Sequence, residues 1–173
     1  MRFGWVRAAA AAALLGAAGC GAAAEGDPEA AAEAATFFLA SNARAEGVTT
    51  LPSGLQYKVL ASGAAGGARP DGNDLVRVEY EGTLIDGTVF DSSYERGAPA
   101  VFSPADVVPG WTEALQLMKV GDEWLLYLPP ELAYGPEGRP PTIPGNSVLV
   151  FRLKLLDVAS TPGAPRGGQT ATG

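Results

Sequence analysis

Ten residues, Leu75 to Leu84, alternate strictly: Val76, Val78 and Tyr80 fall on one side, and Arg77, Glu79 and Glu81 on the other. A period of two with one apolar side is the pattern of a half-buried β-strand. Asp86-Gly87 follows, a dipeptide suited to a two-residue hairpin turn, and Thr88-Val89-Phe90 begins a return strand. The chain is thereby committed to antiparallel pairing. Leu55, Tyr57 and Val59 alternate with Gln56 and Lys58, Glu123 to Leu128 forms another strand, and Val148 to Val158 places Leu149, Phe151, Leu153 and Leu155 on one face. One short segment breaks this rhythm. In Trp111 to Lys119, the residues Trp111, Ala114, Leu115 and Met118 recur at helical spacing. Glu113 near its start and Lys119 near its end suit the helix dipole, and Gly121 stops it. The expected class is α+β: a curved antiparallel sheet of about five strands wrapped over one short amphipathic helix. This domain spans residues 48–159.

The flanks read differently. Arg2 and Arg7, the Ala/Leu/Gly run Ala8–Ala18 and then Gly19-Cys20 have the layout of a secretory signal, residues 1–19. The apolar run is too short to span a bilayer as a helix. Leu15-Gly16-Ala17-Ala18-Gly19-Cys20 resembles a bacterial lipobox, in which Cys20 would be acylated; cleavage by an ordinary signal peptidase is the alternative. Ala17 stands where Leu is usual in that motif. With Gly21 after the cysteine, the implied address is the bacterial cell envelope, lipid-anchored, on the outer membrane facing the periplasm. Residues 20–27 form a tether. Residues 28–47 form an N-terminal helix, with Asp27 as cap, Pro28 at its first position and Gly47 as its stop. Its large apolar residues, Phe37, Phe38 and Leu39, either dock on the domain or pair between chains. The tail, 160–173, is expected to be disordered.

Composition removes whole chemistries. There is no histidine and one cysteine, so Ser-His-Asp, Cys-His and His-metal sites are excluded, as is an intrachain disulfide. A net charge of −7 without a basic stripe argues against nucleic acid. Asp71/Asp74 and Asp122/Glu123 could pair as hydrolytic carboxylates, but a loop and a strand start are ordinary places for solvated acids. The aromatics remain: Tyr80, Phe90, Phe102, Trp111, Tyr134 and Phe151. A sheet folded over the helix would gather them into an apolar cavity holding two phenols and an indole. Asp91, at the end of its strand, could be a cap, an ion-pair partner or part of that cavity.

Five motifs carry a resemblance. They are Val78-Glu79-Tyr80-Glu81-Gly82-Thr83-Leu84, Asp86-Gly87-Thr88-Val89-Phe90-Asp91-Ser92-Ser93, Val107-Val108-Pro109-Gly110-Trp111, Leu132-Ala133-Tyr134-Gly135, and Ile143-Pro144-Gly145-Asn146 with Leu149-Val150-Phe151. In this order and spacing they resemble FKBP-type peptidyl-prolyl cis-trans isomerases. Leu51-Pro52-Ser53-Gly54-Leu55-Gln56-Tyr57, Gly97 to Phe102 and Pro109 to Leu115 are similar to the exported bacterial branch of macrophage infectivity potentiator proteins. The resemblance implies an FKBP-like fold and isomerisation of X-Pro bonds in exported proteins, with no cofactor, metal or nucleophile. It implies Tyr80, Phe90, Asp91, Trp111 and Tyr134 as catalytic residues. Phe102, Val107, Val108, Ile143 and Phe151 would complete the substrate wall. Trp111 would be the floor, Tyr134 a donor to a substrate carbonyl, and Arg96 a charge partner of Asp91. Partners implied are proline-containing segments, rapamycin-class macrolides and, through Cys20, the membrane. Oligomeric state stays open. A chaperone-like or scaffolding lipoprotein using the same pocket without turnover is the alternative.

Overall fold

The computed structural model describes residues 28–160. The signal, Cys20, the tether, the Asp27 cap and the tail beyond residue 160 lie outside the described residues.

Helix α1 (Pro28–Asn42) comes first, followed by strands β1 (Val48–Thr50), β2 (Gln56–Ala61), β3 (Leu75–Leu84), β4 (Val89–Ser92) and β5 (Ala100–Phe102). Helix α2 (Pro109–Leu117), strand β6 (Glu123–Leu128), a 3-10 turn (Pro130–Leu132) and strand β7 (Leu149–Ala159) complete the order. All pairings are antiparallel, in the order β1-β2-β6-β7-β3-β4, with β5 also on β3. The sheet thus has seven strands where about five were expected. The two additions, β1 and β5, are three residues each and too short to show a period.

The long strands meet in the middle. β3 pairs with β7 from Leu75↔Ala159 to Leu84↔Leu149. Its other edge is shared: β5 takes Val76 to Val78, and β4 takes Glu81 to Thr83. The chain between them, Ser93 to Pro99, therefore leaves the sheet beside Tyr80. Val76, Val78 and Tyr80 turn inward, as do Leu149, Phe151, Leu153 and Leu155, and all are buried. α2 lays Trp111, Ala114 and Leu115 against that face, and Met118, just past its end, is buried with them. Gly110 permits the approach, since a Cβ there would lie 2.5 Å from Leu128 Cγ. α2 begins at Pro109, two residues before the expected start, because proline needs no N–H partner in the first turn. It ends at Leu117. Glu113 therefore sits past the first turn, accepting from Ser53 Oγ at 2.6 Å, and Lys119 lies beyond the helix, so neither plays its expected dipole role.

α1 is shorter than expected. It stops at Asn42, and turns carry the chain to Gly47, whose φ of +78° serves the entry to β1 instead of capping the helix. α1 docks on the outer face of the sheet. Ala35 is buried, Phe38 meets Tyr127 at 6.1 Å, and Gln56 Nε2 donates to Leu39 O at 2.9 Å. Asn42 Nδ2 donates to Gln56 Oε1 at 2.8 Å, and Asn146 Nδ2 to Pro28 O at 2.9 Å. Phe37 points away and is 77% exposed. That contact explains why Gln56, expected on the wet side of β2, is buried. Val59, expected inside, is exposed where β2 loses register against β6.

Candidate active site

Where β3, β4, β7 and α2 converge, the inner face is not filled. Gly82 continues the inward series after Tyr80, and its missing side chain leaves room for two rings. A Cβ there would lie 2.6 Å from Phe90 Cζ and 2.7 Å from Phe151 Cε1. A cavity of about 420 Å³ opens above them, lined by Tyr80, Phe90, Asp91, Phe102, Asp106, Val107, Val108, Trp111, Tyr134, Arg139 and Phe151.

Its floor is aromatic and interlocked. Trp111 is edge-on to Tyr80 at 5.1 Å, to Phe151 at 5.2 Å and to Phe102 at 5.7 Å, and Phe90 is edge-on to Phe151 at 5.5 Å. Such contacts fix ring orientation beyond what area burial alone would do. Trp111 is 3% exposed, and its Nε1 has no hydrogen-bond partner among the described residues.

One wall is polar and internally satisfied. Tyr80 O–H donates to Asp91 Oδ2 at 2.6 Å, Arg96 Nη2 donates to the Tyr80 oxygen at 2.8 Å, and Arg96 Nη1 pairs with Asp91 Oδ1. Burial works against the Asp91 carboxylate, but the bonds from Tyr80 and Arg96 outweigh it and hold its pKa below the usual range. Burial and the bond to Asp91 push the Tyr80 phenol up. Asp91 is thus an ion-pair partner in the cavity wall, and both of these groups keep their neutral-pH state. Buried Ser93 fixes the chain beneath: Tyr80 N donates to its Oγ at 2.9 Å, and Ser93 N donates to Tyr80 O at 2.9 Å.

Tyr134 comes from the loop after β6. Gly135 N donates to Pro130 O at 2.8 Å, Asn146 N to Gly135 O at 2.9 Å and Gly138 N to Tyr134 O at 3.1 Å. Gly138, at φ +63°, admits the close return of the loop, since a Cβ would lie 2.4 Å from Ile143 O. No described residue accepts from the Tyr134 hydroxyl.

Of the ten residues expected at the site, nine line this cavity and Ile143 does not. Ile143 is 2% exposed, in the core beneath the loop, and holds Arg139 by paired main-chain bonds of 2.7 and 3.0 Å. Asp106 and Arg139 line the cavity without having been anticipated, because exposed loop charges carry no periodic signal. The alternative carboxylate pairs are used locally: Asp71 Oδ1 accepts from Asn73 N and Asp74 N, and Asp122 accepts from Gly63 N and Lys119.

A sequence profile described as FKBP-type peptidyl-prolyl cis-trans isomerase matches residues 66–156, and one described as the domain amino-terminal to it matches residues 8–59. The chain belongs to the FKBP-type peptidyl-prolyl isomerase family. It is 52% identical over 127 residues to the peptidyl-prolyl cis-trans isomerase Mip of Coxiella burnetii, covering 73% of this chain and 54% of that protein. Over 121 residues it is 50% identical to the outer membrane protein MIP of Legionella longbeachae, covering 70% of this chain and 51% of that protein. The chain therefore spans about half the length of these relatives. The crystal structure of FkpA from Escherichia coli superposes with a TM-score of 0.74 at 44% identity, over 78% of this chain and 62% of that one. A peptidyl-prolyl isomerase structure from Pseudomonas syringae superposes at 0.72 with 38% identity, over 78% of this chain and 98% of that one.

Proposed function

We propose that this chain catalyses cis-trans isomerisation of X-Pro peptide bonds in exported proteins. The observation that carries the reading is the cavity: six aromatic residues, two valines and one hydroxyl with no partner among the described residues, in a member of this family. A prolyl ring fits against Trp111. No covalent chemistry is required, since the reaction is a rotation resisted by about 18–20 kcal/mol of amide resonance barrier. The planar amide is the charge-separated form, and a dry aromatic cavity disfavours it relative to the twisted amide. Binding the twisted form better than either planar one lowers the barrier. Tyr134 donates to a substrate carbonyl. Tyr80, its donor already spent on Asp91, acts as a wall, and Asp91 with Arg96 sets the polarity beside the turning bond. Phe90, Phe102, Val107, Val108 and Phe151 enclose the ring.

We further propose that residues 1–19 are a lipoprotein signal, that Cys20 carries the lipid, and that residues 48–159 form the isomerase unit at the outer membrane facing the periplasm. The Legionella longbeachae relative is named an outer membrane protein, which supports the envelope location. Cys20→Ser should move the protein out of the membrane fraction.

The deciding experiment is exchange spectroscopy of a short X-Pro peptide with the wild type and Asp91→Val. Fast exchange that falls in the variant and is blocked by a rapamycin-class macrolide is expected. A folded wild type without turnover would overturn the enzymatic reading and favour a holding function.

A further inference from the structure

Two of the cavity-lining residues carry a charge that no described residue pairs with. Asp106 lies on the loop between β5 and α2, and Arg139 on the loop between β6 and β7. Both side chains are exposed, and no ion pair joins them to each other or to any other described residue. This sets them apart from Asp91 and Arg96, which satisfy one another across Tyr80.

Their main chains are well held. Arg139 exchanges two hydrogen bonds with Ile143, and its guanidinium lies 6.0 Å from the centre of the Tyr134 ring. Asp106 N donates to Ser103 O at 3.0 Å, and Thr112 Oγ1 fastens the same loop to α2 through Pro104 O at 2.7 Å. The cleft is therefore lined by one positive and one negative exposed side chain, on two loops whose main chains are held.

We propose, resting on the isomerase reading above, that Arg139 and Asp106 are specificity-determining residues that read charge on either side of the X-Pro unit. An acidic side chain falls near Arg139 and a basic one near Asp106. Because the seated proline fixes the direction of the peptide, only one order of the two charges along a substrate matches the rim. The opposite order meets like charge twice. Exposed charges a few ångströms apart in water interact weakly, so the discrimination is modest, about two- to fivefold for each charge at low salt. It also fades as ionic strength rises.

The test uses the full chain and three peptides sharing an Ala-Leu-Pro-Phe core: one neutral, one with Glu before and Lys after the core, and one with that order reversed. The readout is kcat/KM of each charged peptide divided by that of the neutral one within the same variant, so a change in overall activity cancels. One order should exceed the neutral peptide and the other fall below it at low salt. The double variant Arg139→Glu with Asp106→Lys should invert the preference, and 1 M salt should abolish it. Equal ratios for the two orders, or a preference that survives charge reversal, would overturn the inference. Should even the neutral peptide not be turned over, the isomerase reading falls, and the same three peptides compared by calorimetric binding decide the charge readout separately. Circular dichroism of the double variant checks folding, which two exposed side chains should leave intact.

Discussion

The two phenols of the cleft differ in what their hydroxyls are free to do. Tyr80 is committed to Asp91 and Arg96, whereas Tyr134 donates to no described residue. On the proposed reading, removing the Tyr134 hydroxyl costs one substrate hydrogen bond, about 1–1.5 kcal/mol. Tyr134→Phe should lower kcat/KM about five- to tenfold while leaving the melting temperature near that of the wild type. Trp111→Ala should lose far more, because Trp111 is edge-on to Tyr80, Phe102 and Phe151, and should also destabilise the fold by about 3–5 kcal/mol. A folded Tyr134→Phe enzyme with no residual turnover would show that the hydrogen bond, and not shape and desolvation, carries the rate. At this scale the sequence was most legible where chemistry is scarce. Without histidine, the aromatics and Asp91 were what remained, and motif spacing placed them. Ile143 is buried beneath the loop that its motif belongs to, and its main chain holds Arg139. Asp106 and Arg139 were invisible because a loop charge facing a cleft reads like any solvated charge.

Elements are set by contacts that a linear reading sees unevenly. Strands of six or more residues announced themselves by alternation, and α2 by its helical spacing, but β1 and β5 did not. β5 exists because β4 covers only part of β3, a fact of topology with no local signature. The same limit applies to Gly82, whose role follows from the rings that Phe90 and Phe151 bring to it across two neighbouring strands. Gly82→Ala must push at least one ring aside. A destabilisation of about 1–3 kcal/mol in urea titration, with reduced turnover of the neutral peptide, is expected. α1 offers a separate test. A helix of 15 residues is marginal by itself, and this one is held chiefly by Ala35, Phe38 and the two bonds of Gln56. Gln56→Ala should raise amide exchange in Ala35–Asn42 about fivefold, consistent with the loss of about 1 kcal/mol, while leaving exchange in β3 and β7 unchanged. Uniform acceleration across the sheet would mean that α1 is part of the cooperative core.

For the molecule as a whole, pH acts through carboxylates and phenols, because there is no histidine to titrate between pH 5 and 8. Asp122 is a buried, acid-sensitive group on the core side. It is 3% exposed and accepts from Gly63 N at 2.8 Å, Lys119 N at 3.0 Å and Lys119 Nζ at 2.7 Å. These bonds fasten the loop between β2 and β3 to the turn before β6, where Gly63 packs so closely that a Cβ would lie 2.0 Å from Val120 O. Burial raises the Asp122 pKa, but the Lys119 and Gly63 bonds lower it more, and Asp91 behaves likewise. Depressed carboxylates bind fewer protons folded than unfolded. Their contribution is present above the unfolded value of about 4 and is lost as pH falls through the folded value. The raised Tyr80, Tyr94 and Tyr127 phenols act at the other end, and stability declines as pH climbs above about 10. Stability should therefore be flat from pH 6 to 8 and fall below pH 4. Asp122→Asn cannot take a charge, so it should lose about 2–3 kcal/mol against the wild type at pH 7, and the deficit should shrink as pH falls below about 4 toward the depressed folded value. Urea titrations of both proteins at pH 7 and at pH 3 decide it. A deficit of the same size at pH 3 would mean that Asp122 matters for its shape and neutral hydrogen bonds, and that its charge adds nothing to the union of loop and sheet.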